Sequence, residues 1–209
     1  VYLLANDFFF ATRDAMSGRP RVSGRTAALG LAGAMLGELV LWRRITIERG
    51  QITVVDRHPP NDPMAATVLS QVIVDNDVAA ARDWLRYMAQ TANDVVAKRL
   101  LLAGLVRPRT PRRPWRSTIY LPNDPNLAVI ATARLATRLA KHEPLTIPDT
   151  VLLGLMMATG LERHVLVDAP ADTGRYLHHV LATTLPPPLA ELISETEASV
   201  GDAVLSHRS

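Results

Sequence analysis

The chain has 209 residues, of which 48% are apolar and only 5% aromatic, so aliphatic packing must fill the core of one large domain or two small ones. Cysteine is absent, which excludes disulfides, thiolate metal sites and cysteine nucleophiles together and fits a reducing, cytoplasmic setting. The 23 basic residues exceed the 20 acidic ones by a formal +3, and all but Lys98 and Lys141 are arginine.

Val1 to Phe10 is apolar but has no basic region before it and is interrupted by Asn6 and Asp7, so it does not read as a signal peptide. Residues 3–13 read as a short apolar helix, closed by a turn at Gly18-Arg19-Pro20. Ser23 is placed to cap the next helix, which is expected to run to about Arg44. Its most apolar part, Ala27 to Trp42, would extend roughly 24 Å as helix. A bilayer core needs about 30 Å, and Glu38 lies inside the segment, so a buried core helix is expected rather than a span. Gly30, Gly33 and Gly37 recur at helical spacing and predict close approach by neighbouring helices.

Apolar and polar residues alternate from Ile45 to Val55 around Glu48-Arg49-Gly50-Gln51, the pattern of a β-hairpin. His58 to Pro63 is a loop. Helices are expected at about 64–75, 78–90 and 93–104, the last ended by Gly104. They resume at about 125–141, 149–160, 172–184 and 187–205, with Asp149 as a cap and Leu161 to Val167 as a short strand. The fold class is therefore mainly α: a compact bundle of about eight to ten helices with one or two small β-hairpins. Without a repeat or long linker, one domain over 1–209 is the simplest account.

No catalytic motif for acyl transfer, zinc hydrolysis or nucleotide binding is present, and no enzyme activity, cofactor or metal is expected. The six histidines are scattered, and the adjacent pair His178-His179 points about 100° apart on a helix. Glu38 in an apolar helix needs hydrogen-bonding or cationic partners, and anchoring of a neighbouring loop, rather than acid–base catalysis, is its expected role.

Charge is unevenly distributed. Residues 107–141 carry Arg107, Arg109, Arg112, Arg113, Arg116, Arg134, Arg138 and Lys141 against one acid, Asp124, a net +7 on a chain whose remainder sums to −4. Within RPRTPRRPWRSTIYLP, Pro108, Pro111 and Pro114 oppose helix, and five arginines flank Trp115. Guanidinium groups suit headgroup phosphates and an indole suits the headgroup level, so an anionic membrane surface is the expected partner. Arg134, Arg138 and Lys141 share one face of the following helix and extend the patch.

Several strings, in order, carry a family resemblance: L3-L-A-N-D, G30-L-A-G-A-M-L-G-E-L-V-L-W-R-R-I45, D83-W-L, V96-A-K-R-L-L-L-A-G-L-V106 and E195-T-E-A-S-V-G-D-A-V204. Together they resemble the Golgi phosphoprotein 3 family, and the arginine bias suits its actinobacterial branch. The resemblance implies a helical bundle with small hairpins and a peripheral membrane protein. In eukaryotic members it implies recognition of phosphatidylinositol 4-phosphate and of the cytoplasmic tails of Golgi enzymes. The family hairpin that promotes self-association would fall within about 107–122, making a homo-oligomer an expectation. The family's headgroup-binding Trp and Arg align with Ser23 and Ala32, and two further basic positions with Gln90 and Asn93. None of the four matches, so the headgroup site is not carried over; Arg25 is the nearest substitute.

The leading expectation is a peripheral membrane adaptor that binds anionic phospholipid through Arg107–Arg116 and Trp115, with no nucleic acid. The alternatives are a nucleic-acid or acidic-protein binding module using the same patch, and a small-molecule-binding protein with a pocket near Glu38 and the glycine face.

Overall fold

The computed structural model describes residues 3–75, 79–109, 118–166 and 173–206. In chain order its elements are α1 (Leu4–Ala11), α2 (Gly24–Leu41), β1 (Ile45–Glu48), β2 (Gln51–Val54), α3 (Pro63–Val74), α4 (Ala81–Ala89) and α5 (Ala92–Leu102). Then follow β3 (Val106–Arg109), β4 (Ile119–Pro122), α6 (Pro125–Ala140), α7 (Ile147–Ala158), α8 (Thr173–Thr184) and α9 (Pro187–Leu205). The architecture is mainly α, with two small antiparallel hairpins.

α2 is the axis. The Ser23 hydroxyl accepts from the Thr26 amide at 3.1 Å and starts the helix. α1, α4, α5, α7 and α9 surround it. Its small residues make room for them. A Cβ on Gly30 would lie 2.2 Å from Phe8 Cζ and 2.8 Å from Thr159 Cγ2, so α1 and α7 sit against bare backbone. Gly33 admits Thr196 of α9 and Gly37 admits Leu4 of α1 in the same way. Among the described residues α2 is the one helix long and apolar enough to cross a bilayer, yet 72% of it is buried inside the protein. That burial identifies it as the core helix expected from its sequence.

The β1–β2 hairpin pairs Ile47 with Ile52 and sends Ile45, Ile47 and Ile52 into the core. Its turn residues Arg49 and Gly50 both take positive φ, at 53° and 72°, which matches the twist of a two-residue hairpin turn. Residues 79–80 add to the free edge of β2: Ala79 O accepts from Ile52 N at 2.6 Å and Gly50 O from Ala81 N at 2.8 Å. This pairing holds the chain extended and delays α4 until Ala81, later than its apolar pattern predicts.

Two local expectations need correction. The strand expected over Leu161 to Val167 is not formed by its described residues, 161–166: Glu162–His164 form a 3₁₀ turn. Gly160 ends α7 at φ 71°, and Leu161 and Val165, four apart, both face the core, which is helical rather than alternating spacing. Asp149 is not the cap of α7. Thr146 is; its hydroxyl accepts from the Asp149 amide at 3.2 Å and donates to Asp149 Oδ2 at 2.9 Å. Asp149 is the third residue of the turn in a Thr-x-x-Asp capping box.

Candidate functional site

The buried charge on α2 is fully engaged. The Arg99 guanidinium, from α5, grips Glu38 with both terminal nitrogens, at 2.9 Å to Oε2 and 2.8 Å to Oε1. The Ala5 amide, in the first turn of α1, donates to Glu38 Oε1 at 2.9 Å. α1 has no side-chain cap of its own, so a carboxylate 33 residues further on supplies one. Arg99 also donates from Nε to Asn6 Oδ1 at 2.9 Å and from Nη1 to Asp62 Oδ1 at 3.2 Å. Burial pushes the Glu38 carboxyl above its usual range, opposed by Arg99 and the Ala5 amide. Burial also works against the Arg99 charge, but Glu38 and Asp62 outweigh it and hold its pKa raised. The node anchors α1, α2, α5 and the start of α3 to one another, so Glu38 is structurally engaged as expected, but it ties helices rather than a loop.

The basic patch divides. Arg107 and Arg109 are exposed on β3, the first strand of a hairpin that pairs Arg107 with Leu121 and Arg109 with Ile119. Pro108 sits inside this strand without disrupting it, because a two-stranded hairpin leaves each strand an unpaired edge. Arg109 donates to the Ser17 carbonyl at 3.0 Å, and among the described residues no carboxylate pairs with either arginine. Arg112, Arg113, Trp115 and Arg116 lie outside the described residues, as do Pro111 and Pro114.

Arg134 is turned to other work: it donates to Asp149 Oδ1 at 2.7 Å and lies 3.5 Å from Asp7, tying α6 to α7 and α1. Arg138 donates to the Pro144 carbonyl at 2.8 Å, and Lys141 lies 4.0 Å from Glu143. The helix face that extends the patch in sequence is thus partly spent inside the molecule.

Of the four positions aligned with the family's headgroup residues, Gln90 is exposed at the end of α4 and the other three have structural roles. Ala32 is completely buried, and Ser23 is the cap of α2. Asn93 accepts a hydrogen bond from Arg13, whose guanidinium also lies 3.8 Å above the Phe9 ring; burial lowers the Arg13 pKa to about 10. Arg25, the nearest substitute, is exposed and reaches Ser206 at 3.3 Å.

Two features escaped sequence reasoning. Arg99 could have been found by asking which cation a buried Glu38 requires. The second, a cleft of about 820 Å³ between α3, α4 and α5, has no sequence signature. Met35, Met64, Val68 and Met88 line its depth, and Thr67, Gln71, Gln90 and Lys98 its rim. It lies on the Arg99 side of the node, not over the glycine face, which neighbouring helices fill. Among the described residues no group of histidines and carboxylates is placed to hold a metal.

No curated protein matches the chain. A family model described as Golgi phosphoprotein 3 (GPP34) matches residues 4–196, which run from the first residue of α1 well into α9. The family seen in the scattered strings is therefore present as one continuous match, and the chain belongs to the Golgi phosphoprotein 3 (GPP34) family.

Proposed function

We propose that this protein is a peripheral, adaptor-like membrane protein that docks on the cytoplasmic face of an anionic bilayer and acts by binding rather than by catalysis. The docking element is the β3–β4 hairpin together with the segment 110–117 between its strands. The observation that carries the reading is the pair Arg107 and Arg109, exposed on β3 with no carboxylate partner among the described residues. Three further arginines and Trp115 follow in the connecting sequence. Membership of a family whose resemblance implies peripheral membrane association supports it.

The target is a generic anionic leaflet rather than a phosphatidylinositol 4-phosphate pocket. Ala32 is inside the core and Asn93 is committed to Arg13, so two of the four family headgroup positions face other tasks. Each basic residue near an anionic surface contributes about 1 kcal/mol, so five arginines give a salt-sensitive attachment that self-association through 107–122 would strengthen.

Flotation with vesicles tests the proposal. Binding to vesicles rich in phosphatidylserine, loss on raising salt, and little binding to phosphatidylcholine alone are expected. Replacing Arg107 and Arg109 by alanine should weaken binding about thirtyfold, from about 2 kcal/mol lost. Equal affinity for neutral and anionic vesicles rejects the reading. A tight, salt-dependent gel shift with no vesicle binding would assign the same arginines to nucleic acid instead.

A further inference from the structure

The cleft between α3, α4 and α5 plays no part in the membrane reading, and its walls have a definite chemistry. It reaches inward as far as Met35 on the central helix. Three of the chain's six methionines, Met35, Met64 and Met88, line it together with Val68 and Val95. Unbranched, polarisable methionine side chains adjust to a flexible apolar guest better than branched ones do. The volume, about 820 Å³, lies within the roughly 300–1,000 Å³ typical of small-molecule sites. At the mouth, Leu102 is 79% exposed and Tyr87 50%, so apolar surface continues from the interior to the rim.

The polar groups of the rim are not equivalent. Asp62 and Arg99 border the cleft but are spent on each other, on Glu38, on Asn6 and on the Ala65 amide. Lys98 is exposed, stands next to Arg99 on α5, and has no carboxylate partner among the described residues. The rim therefore offers one uncommitted cation above an apolar interior.

We propose that this cleft is a binding site for a free single-chain anionic amphiphile, a long-chain fatty acid, with its alkyl chain among Met35, Met64 and Met88 and its carboxylate at Lys98. Among the described residues, none of the β3–β4 hairpin lines the site. A cleft of about 820 Å³ that runs from an exposed rim in to Met35 has room for one flexible chain.

Calorimetric titration of the delipidated full chain with octanoate, decanoate, dodecanoate and tetradecanoate, each as dispersed monomer, tests this. Burial of a methylene is worth about fourfold in affinity, so each two-carbon step should tighten binding about fifteenfold until the cleft is full. Thr67→Trp, which places an indole in the mouth from an exposed position, should abolish binding while thermal unfolding stays that of the wild type. Lys98→Gln should weaken decanoate by up to about fivefold and leave decanol unchanged. Vesicle flotation of Thr67→Trp should be unaltered, so failure of the cleft and failure of the hairpin reading are distinguishable.

Affinity independent of chain length, or equal binding by Thr67→Trp, overturns the proposal. So does cleft-dependent binding seen only with phospholipid vesicles, which would assign the cleft to a bilayer lipid chain. Concentration-dependent dimerisation abolished by Thr67→Trp, without fatty acid binding, would assign it to a second copy and likewise overturn it.

Discussion

Replacing Arg99 by methionine removes the cation from a node in which nothing else can neutralise Glu38. The carboxylate has no solvent exposure and would keep a single donor, the Ala5 amide. Breaking a buried pair by removing one partner costs about 3–5 kcal/mol, because the survivor's charge stays desolvated. For a chain of this length that lowers Tm by about 6–20 °C. The loss should depend on pH. Burial already raises the Glu38 pKa above the ordinary 4.5, and without Arg99 it rises further. The folded variant then binds more protons than the unfolded chain from about pH 4.5 upward, so its stability falls as pH rises through that window. The deficit against the wild type should accordingly be greatest at neutral pH and shrink as pH falls toward 4.5. Urea melts at several pH values measure it. The double variant Glu38→Leu, Arg99→Met removes the unpaired charge and should recover at least half the loss. A single-variant loss under about 1 kcal/mol, or a deficit flat with pH, would refute the account of the node as a buried, paired charge.

Gly30→Ala drives a methyl group into Phe8 and should destabilise by about 1–3 kcal/mol in a denaturant melt, with loss of α1 docking. Thr146→Ala removes the cap of α7 and should cost about 1 kcal/mol; the same change at Thr137, exposed on α6, should cost less than half as much. His164 has a buried Nε2 without a partner among the described residues, and burial together with Arg21 and Arg163 lowers its pKa below 6.5. The unfolded chain then binds more protons there, so stability should decline as pH falls below about 6.5, and His164→Gln should flatten that decline in a pH series of melts. Arg107→Ala with Arg109→Ala should leave Tm within about 2 °C while weakening anionic vesicle binding, since neither arginine supports the core.

Most of the helical order was readable because each element carries its own local signal. Ser23, Asp62 with Pro63 and Asp124 with Pro125 mark helix starts by side-chain capping and a proline that needs no donor. Arg49-Gly50 marks its turn by the sign of φ. The cap of α7 is a local exception, since Thr146 lies only three residues before Asp149; the other errors occur where a distant partner overrides the local pattern. Residues 79–80 are extended only because β2 offers an edge, and Leu161 to Val165 coils because both ends face one core. The candidate site was partly visible for the same reason. Clustered arginine is a property of the string, but whether Asp149 and Asp7 reach Arg134 is a property of packing. Glu38 announced that it needed a partner without naming Arg99, which lies 61 residues away. The cleft could not be read at all, since a void has no residue of its own.

The position of α9 bears on how this chain is made. It packs on α2, α4, α7 and β1, and its Glu191 accepts from the Gly50 amide at 3.0 Å while Glu195 pairs with Arg82. During synthesis the hairpin and the Gly33 side of α2 therefore wait for a closing piece that emerges more than 130 residues after the hairpin. Closure over so long a separation is slow. Until it happens, the nascent protein presents an apolar seam of the kind that chaperones recognise and that drives aggregation at high expression.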